Sequence, residues 1–205
     1  MKLTGLFKHF KNRQYLFSFE NDIESCLAEL VKGGLILYPT DTVWGIGCDA
    51  TNAEAVEKIY NLKKRADGKS MIVLLAEENE IPKYITQPNP KIFDYIKGVH
   101  KPTTFIYEGG IYLAKNMVQA DGTIAIRITN DPFCKQLIKR FGKPLVSTSA
   151  NISGYPTPAF FEDIDVEIKS GVDYIVQHRQ DDLTEASPSA IVKLNADGSL
   201  TIIRS

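Results

Sequence analysis

The stretch 32–50, Lys-Gly-Gly-Leu-Ile-Leu-Tyr-Pro-Thr-Asp-Thr-Val-Trp-Gly-Ile-Gly-Cys-Asp-Ala, constrains the fold of this chain more than any other. Gly33 and Gly34 read as a helix stop, and the apolar run from Leu35 to Tyr38 reads as a buried strand. Pro39 ends that strand, because proline has no N–H to give to a sheet ladder. Thr40, Asp41 and Thr42 then carry two hydroxyls and a carboxylate beyond the strand end, either as a functional loop or as an ordinary polar turn. Gly45 and Gly47 allow the backbone to approach a neighbour closely. A helix that feeds a buried strand, which in turn breaks into a polar loop, is the unit from which α/β proteins are built.

The rest of the chain continues the alternation. Ile23, Cys26, Leu27, Leu30 and Val31 share the apolar face of a helix capped at Asn21 or Asp22. Thr51 and Glu54 form a T-x-x-E capping box for a second helix, with Ala55, Val56, Ile59 and Leu62 inward. Strands are expected at 71–75, 104–107, 123–128, 145–148 and 174–176, and helices opening at Asn89-Pro90, Asp131-Pro132 and Thr157-Pro158. A C-terminal hairpin pairs 190–194 with 200–204 around Asn195-Ala196-Asp197-Gly198. The class is therefore α/β, with 1–19 as a basic N-terminal segment ahead of a single domain at 20–205.

Charge and cysteine usage exclude several functions. The net charge of −1 rules out a whole-surface polyanion binder, so any nucleotide or nucleic-acid contact needs a local patch. Such patches exist: Lys58, Lys63, Lys64, Arg65 and Lys69 fall within a dozen residues, and the first 19 residues hold four Lys or Arg and, before Glu20, no acid. Lysines at a helix C-terminus also simply complement its dipole, and a basic arm is also a plain solvated edge. Cys26, Cys48 and Cys134 lie far apart without C-x-x-C spacing, which argues for reduced packing residues rather than a disulfide framework or a zinc site. No phosphate-loop, dinucleotide or nucleophile-elbow motif occurs, and His9, His100 and His178 show no metal spacing. No apolar run approaches a membrane span, and no signal-peptide core opens the chain, so a cytoplasmic protein without membrane contact is expected. Two polar loops at strand ends, Thr40 to Thr42 and Ser147 to Asn151, flank the basic cluster. Lys, Arg, Thr, Ser and Asn without a His or Cys nucleophile suit the holding of phosphates better than acyl transfer.

Six motifs occur in order: P-T-D-T-x-x-G within 32–50, K-x-R at Lys63 and Arg65, Pro102-Thr103-Thr104, Ile124-Ala125-Ile126-Arg127, S-x-N at Ser149 and Asn151, and Pro188-Ser189-Ala190-Ile191-Val192 with a final Ile203-Arg204. As a set they resemble the YrdC/YciO family. The resemblance implies a single YrdC-like domain, a twisted mixed sheet flanked by helices with a deep basic groove. For the catalytic branch it implies a nucleotidyltransferase that condenses L-threonine, bicarbonate and ATP to threonylcarbamoyl-AMP and pyrophosphate for tRNA modification. It also implies Mg2+ on the phosphates with no protein metal cage, and downstream tRNA-modification enzymes as partners. Lys63, Arg65, Ser149 and Asn151 become the catalytic candidates. Lys63, Arg65, Lys69, Thr104, Asn151 and Arg204 are implied to hold ATP, and Thr42, Arg127, Ser149 and Ser189 to hold threonine. Arg127 has a plain structural ion pair as its alternative. Trp44, Ala66, Leu74 and Ala190 depart from the usual residues of the family. The YciO-like branch offers a different reading, a double-stranded RNA or tRNA binder without synthase activity, whose members tend to lose the K-x-R and S-x-N that are intact here.

Overall fold

The computed structural model describes residues 19–65, 71–86, 88, 95, 96, 98, 99, 101–195 and 199–205. The basic segment before Phe19, Ala66, Lys69, His100, most of the helix expected after Asn89 and the tip of the C-terminal turn lie outside them.

Helix α1 spans Glu20–Val31 and buries Ile23, Cys26 and Leu30. Val31, expected inward, is 77% exposed, since it lies about 80° around the helix from Ile23 at the edge of the stripe. Neither Asn21 nor Asp22 caps this helix; Phe19 stands at the N-cap without a side-chain bond. Asp22 is instead buried, and its carboxylate accepts from the Tyr174 hydroxyl and from the backbone N–H groups of Gln177 and His178. The other end closes as expected, with Gly33 at φ +74° and Gly34 N–H donating to Glu29 O over 2.8 Å. Helix α2 spans Ala53–Leu62. Its cap is Asn52 rather than the expected box at Thr51, because Asp49 captures both the Thr51 N–H and its hydroxyl, leaving Asn52 Oδ1 to accept from Glu54 and Ala55. Helix α3, Pro132–Phe141, follows its sequence signals, with Asp131 accepting from Cys134 N–H and Gly142 left-handed at the far end. No helix begins at Thr157-Pro158. Pro156 and Pro158 each disfavour helix in the residue before them, and the short α4, Val166–Ser170, starts only after its cap Asp165.

Among the described residues nine strands form one mixed sheet: β1 Ile36–Tyr38, β2 Gly45–Gly47, β3 Ile72–Leu75, β4 Thr103–Glu108, β5 Thr123–Ile128, β6 Leu145–Ser149, β7 Tyr174–Ile175, β8 Ala190–Leu194 and β9 Leu200–Arg204. Their order across the sheet is β7-β1-β2-β6-β3-β5-β4-β8-β9, with β1–β7, β3–β5 and β4–β8 parallel. Phe105 and Ile126 are buried on one face, while Ile106, Ala125 and Ile72, in register across β4, β5 and β3, belong to the other. Phe19 packs edge-on against Phe133, so the core begins at the first described residue. The three cysteines are free and buried.

Candidate active site

The register of three strands sets the site. Tyr38 pairs with Gly45 and Gly45 with Ser149, so the ends of β1 and β6 lie two strands apart and point the same way. The loops after Tyr38 and Ser149 therefore start side by side, beyond the carboxyl ends of strands where open α/β sheets bind ligands. The glycines that permit this are packed against the protein itself. A Cβ on Gly47 would come within 2.7 Å of the Tyr38 ring and 2.8 Å of Val146 O.

A cavity of about 310 Å3 lies against this face of the sheet. Ile72, Ala125 and Ile106 give it an apolar floor, with Ser147 opposite Ile72 on β6. Thr42, Arg65, Thr104, Arg127, Ser149, Ser189 and Arg204, seven of the residues singled out from sequence, all line it. Three arginines thus face one cavity whose described lining includes no carboxylate, an arrangement suited to a polyanion or a carboxylate ligand.

Each polar group is held in a definite state. The Thr40 hydroxyl donates to Val43 O at 2.8 Å, so in its 2.9 Å contact with Thr42 it is the acceptor and Thr42 the donor. Thr42 is thereby left with lone pairs for a ligand N–H or O–H. Asp41, beyond the strand end as expected, turns inward: Oδ1 pairs with Arg127 Nη1 and Oδ2 accepts from Asn130 N–H at 2.9 Å. The ion-pair alternative for Arg127 is therefore present, yet the guanidinium also lines the cavity, and its buried Nε has no partner in the protein. A buried donor without an acceptor is costly, and a ligand oxygen would relieve it. Across the cavity the Thr104 and Ser189 hydroxyls meet at 2.8 Å, and Arg204 donates from Nε and Nη2 to Ser189 O at 3.0 and 2.7 Å.

Lys63 departs most from expectation. Rather than standing at an exposed helix end, it is fully buried, and its ammonium donates to Ser149 O and to Asn151 O, the latter at 2.6 Å. Burial, with the Arg65 charge second, pulls its pKa down to about 7. The rest of the basic cluster is dispersed as well: Lys58 donates to Gly33 O, and exposed Lys64 pairs with Glu167. Asn151 lines a neighbouring cavity of about 630 Å3, and Thr157 belongs to the walls of both. Lys69 lies outside the described residues. Sequence reasoning passed over Ser147 as a distinct wall residue, although its place two residues before Ser149 on one strand puts both on the same face. It also passed over Arg179, which donates to Asp131 and to Thr40 O and has no local signature.

Among the described residues no group of three or more His, Cys, Asp or Glu is placed to hold a metal ion, and no helix is long and apolar enough to cross a membrane.

Sheet order, strand-end loops and a cavity with arginine walls define an α/β domain with a basic cavity at its strand ends. The Sua5/YciO/YrdC family model, described as "Telomere recombination", matches residues 28–205, and the chain belongs to that family. A relative from Pseudoalteromonas translucida named threonylcarbamoyl-AMP synthase is 36% identical over 143 residues, 68% of this chain and 76% of that protein. Among solved structures, P. abyssi Sua5 complexed with L-threonine superposes with a TM-score of 0.78 at 20% identity, over 89% of this chain and 53% of that one. E. coli YciO gives 0.78 at 24% identity, over 90% and 89%. The chain spans about half the length of the Sua5 chains it matches.

Proposed function

We propose that this chain is a threonylcarbamoyl-AMP synthase. The observation that carries the reading is the convergence of Thr42, Arg127, Ser149 and Ser189 with Arg65 and Arg204 on one cavity, in a family whose relatives bear that name. The reaction joins the threonine amine to the carbon of bicarbonate with loss of water, and the resulting carbamate oxygen then displaces pyrophosphate from the α-phosphorus of ATP. Neither step needs a covalent protein group; both need orientation and neutralised charge. Arg127, with its free buried Nε, takes the threonine carboxylate, and the Thr42 lone pairs accept from its ammonium or hydroxyl. Ser149 and Ser189 complete that side. Arg65 and Arg204 meet the phosphates, with Lys69, Thr104 and Asn151 toward the nucleotide. Among the described residues no carboxylate cage is placed for a metal, so magnesium would be held chiefly by the phosphate oxygens and water. The product is handed on to tRNA-modifying enzymes in the cytoplasm. The RNA-binding alternative draws no support from the described lysines of the helix-end cluster, Lys58, Lys63 and Lys64, which are buried or paired.

Incubation with ATP, L-threonine and labelled bicarbonate is expected to give a labelled adenylate and pyrophosphate. Arg65→Ala is expected to weaken ATP roughly ten- to a hundredfold with threonine little changed, the loss of one charge-assisted contact. Arg127→Lys keeps a cation for Asp41 but loses the fork, and should raise the threonine requirement while sparing ATP. Tight binding of both substrates without adenylate or pyrophosphate would sink the synthase reading.

A further inference from the structure

The loop 149–153 poses an electrostatic problem. Ser149 O and Asn151 O converge on one point inside the wall, while Asn151 N–H closes back on Ser149 O at 2.9 Å. Two carbonyl oxygens so directed repel each other unless a donor lies between them. The Lys63 ammonium lies there, and Ser153 N–H returns to Lys63 O at 2.8 Å, so three alternate residues of the loop are fastened to one helix-end residue. Lys63 itself is absent from the described lining of the cavity, whereas Ser149 lines it and Asn151 lines the adjoining one.

We propose that Lys63 is a positioning residue, which clamps the Ser149–Ser153 loop to the end of α2 and so sets Ser149 and Asn151 together, rather than a direct grip on phosphate. The proposal rests on the reading of the cavity as the site of both substrates. A lysine titrating near neutrality is a natural general base. Here, however, its N–H bonds are directed at two carbonyls within the wall. An amine and an ammonium both have the two N–H groups the clamp requires, so it holds in either protonation state.

The test compares Lys63→Met, which keeps the bulk and removes the donors, with Arg65→Ala, reading threonine and ATP affinity by calorimetry and the exchange of Ser153 N–H by NMR. Lys63→Met is expected to weaken both substrates by a similar factor, roughly tenfold, and to speed Ser153 exchange. Arg65→Ala should weaken ATP alone and leave that exchange as it was. A Lys63→Met variant that behaves like Arg65→Ala overturns the proposal. Should Lys63→Met fail to fold, the Lys63 ammonium signal of the wild-type protein at pH 6 decides: protection before ATP is added supports the clamp, and protection only after ATP overturns it. If wild type binds neither substrate, the synthase reading falls, while exchange and ammonium protection still judge the clamp.

Discussion

The two loops that border the cavity leave parallel-running strand ends and carry similar residue types, yet they are fastened by opposite means. The loop after β1 is held through its own side chains. Asp41 pairs with Arg127 across 86 residues of sequence, and its other carboxylate oxygen accepts from Asn130 N–H. The loop after β6 is held through its backbone, with carbonyls of Ser149 and Asn151 on a single lysine. In the first loop a charge is neutralised by a charge, and the cation that fastens it also lines the cavity. In the second a lysine is drawn out of water by neutral dipoles, which fastens the loop and leaves the cavity lining to its neighbours. The cation at Arg127 therefore both fastens its loop and lines the cavity, whereas the one at Lys63 fastens its loop from behind the wall.

The largest effect expected from breaking this contrast is at Asp41. Asp41→Ala leaves the Arg127 guanidinium, 2% exposed, without its counter-charge, and a lost partner of that kind costs about 3–5 kcal/mol. Urea unfolding is the measurement, and a loss under about 1 kcal/mol would mean that water or another group takes over the pairing.

A smaller effect sharpens the other side. The folded pKa of Lys63, about 7, lies below the unfolded value of 10.5. Between these values the unfolded chain holds a proton that the folded chain does not, so stability must rise with pH, by up to about 1.4 kcal/mol per unit. The stability difference between wild type and Lys63→Met, followed from pH 7 to 9, should show this upward slope, and a flat difference would show that Lys63 keeps its charge in the fold.

Smallest of all is Lys64→Ala. Lys64 differs from Lys63 by one position, yet its ammonium meets Glu167 in water. No measurable change in melting temperature or ATP affinity is expected; a clear loss of ATP affinity would restore the helix-end cluster as a phosphate grip.

Much of the fold was legible because its signals are local. Asp131-Pro132 and Gly142 bounded α3 as observed, the apolar run 123–128 is β5, and the hairpin 190–204 pairs where the alternation placed it. Thr51 misled because Asp49, two residues earlier, competes for the same hydroxyl, and Thr157-Pro158 misled because a second proline precedes it. The site was legible as a set of residue types, seven of which meet at one cavity.

By itself, then, the sequence determined the order of helices and strands, the loops at two strand ends and the cations and hydroxyls available to a ligand. These depend on periodicity, proline and glycine geometry and side-chain chemistry within a few residues. Only the tertiary structure decided which acceptor each cation meets. Lys63 and Lys64 are the same residue type one step apart on the chain. One is buried because the end of β6 and the loop after it turn two carbonyls toward it, and the other stays in water because the acid beside it comes from α4, more than a hundred residues away. A charge takes the partner that the fold brings within hydrogen-bond reach, and nothing in the local sequence encodes that distance.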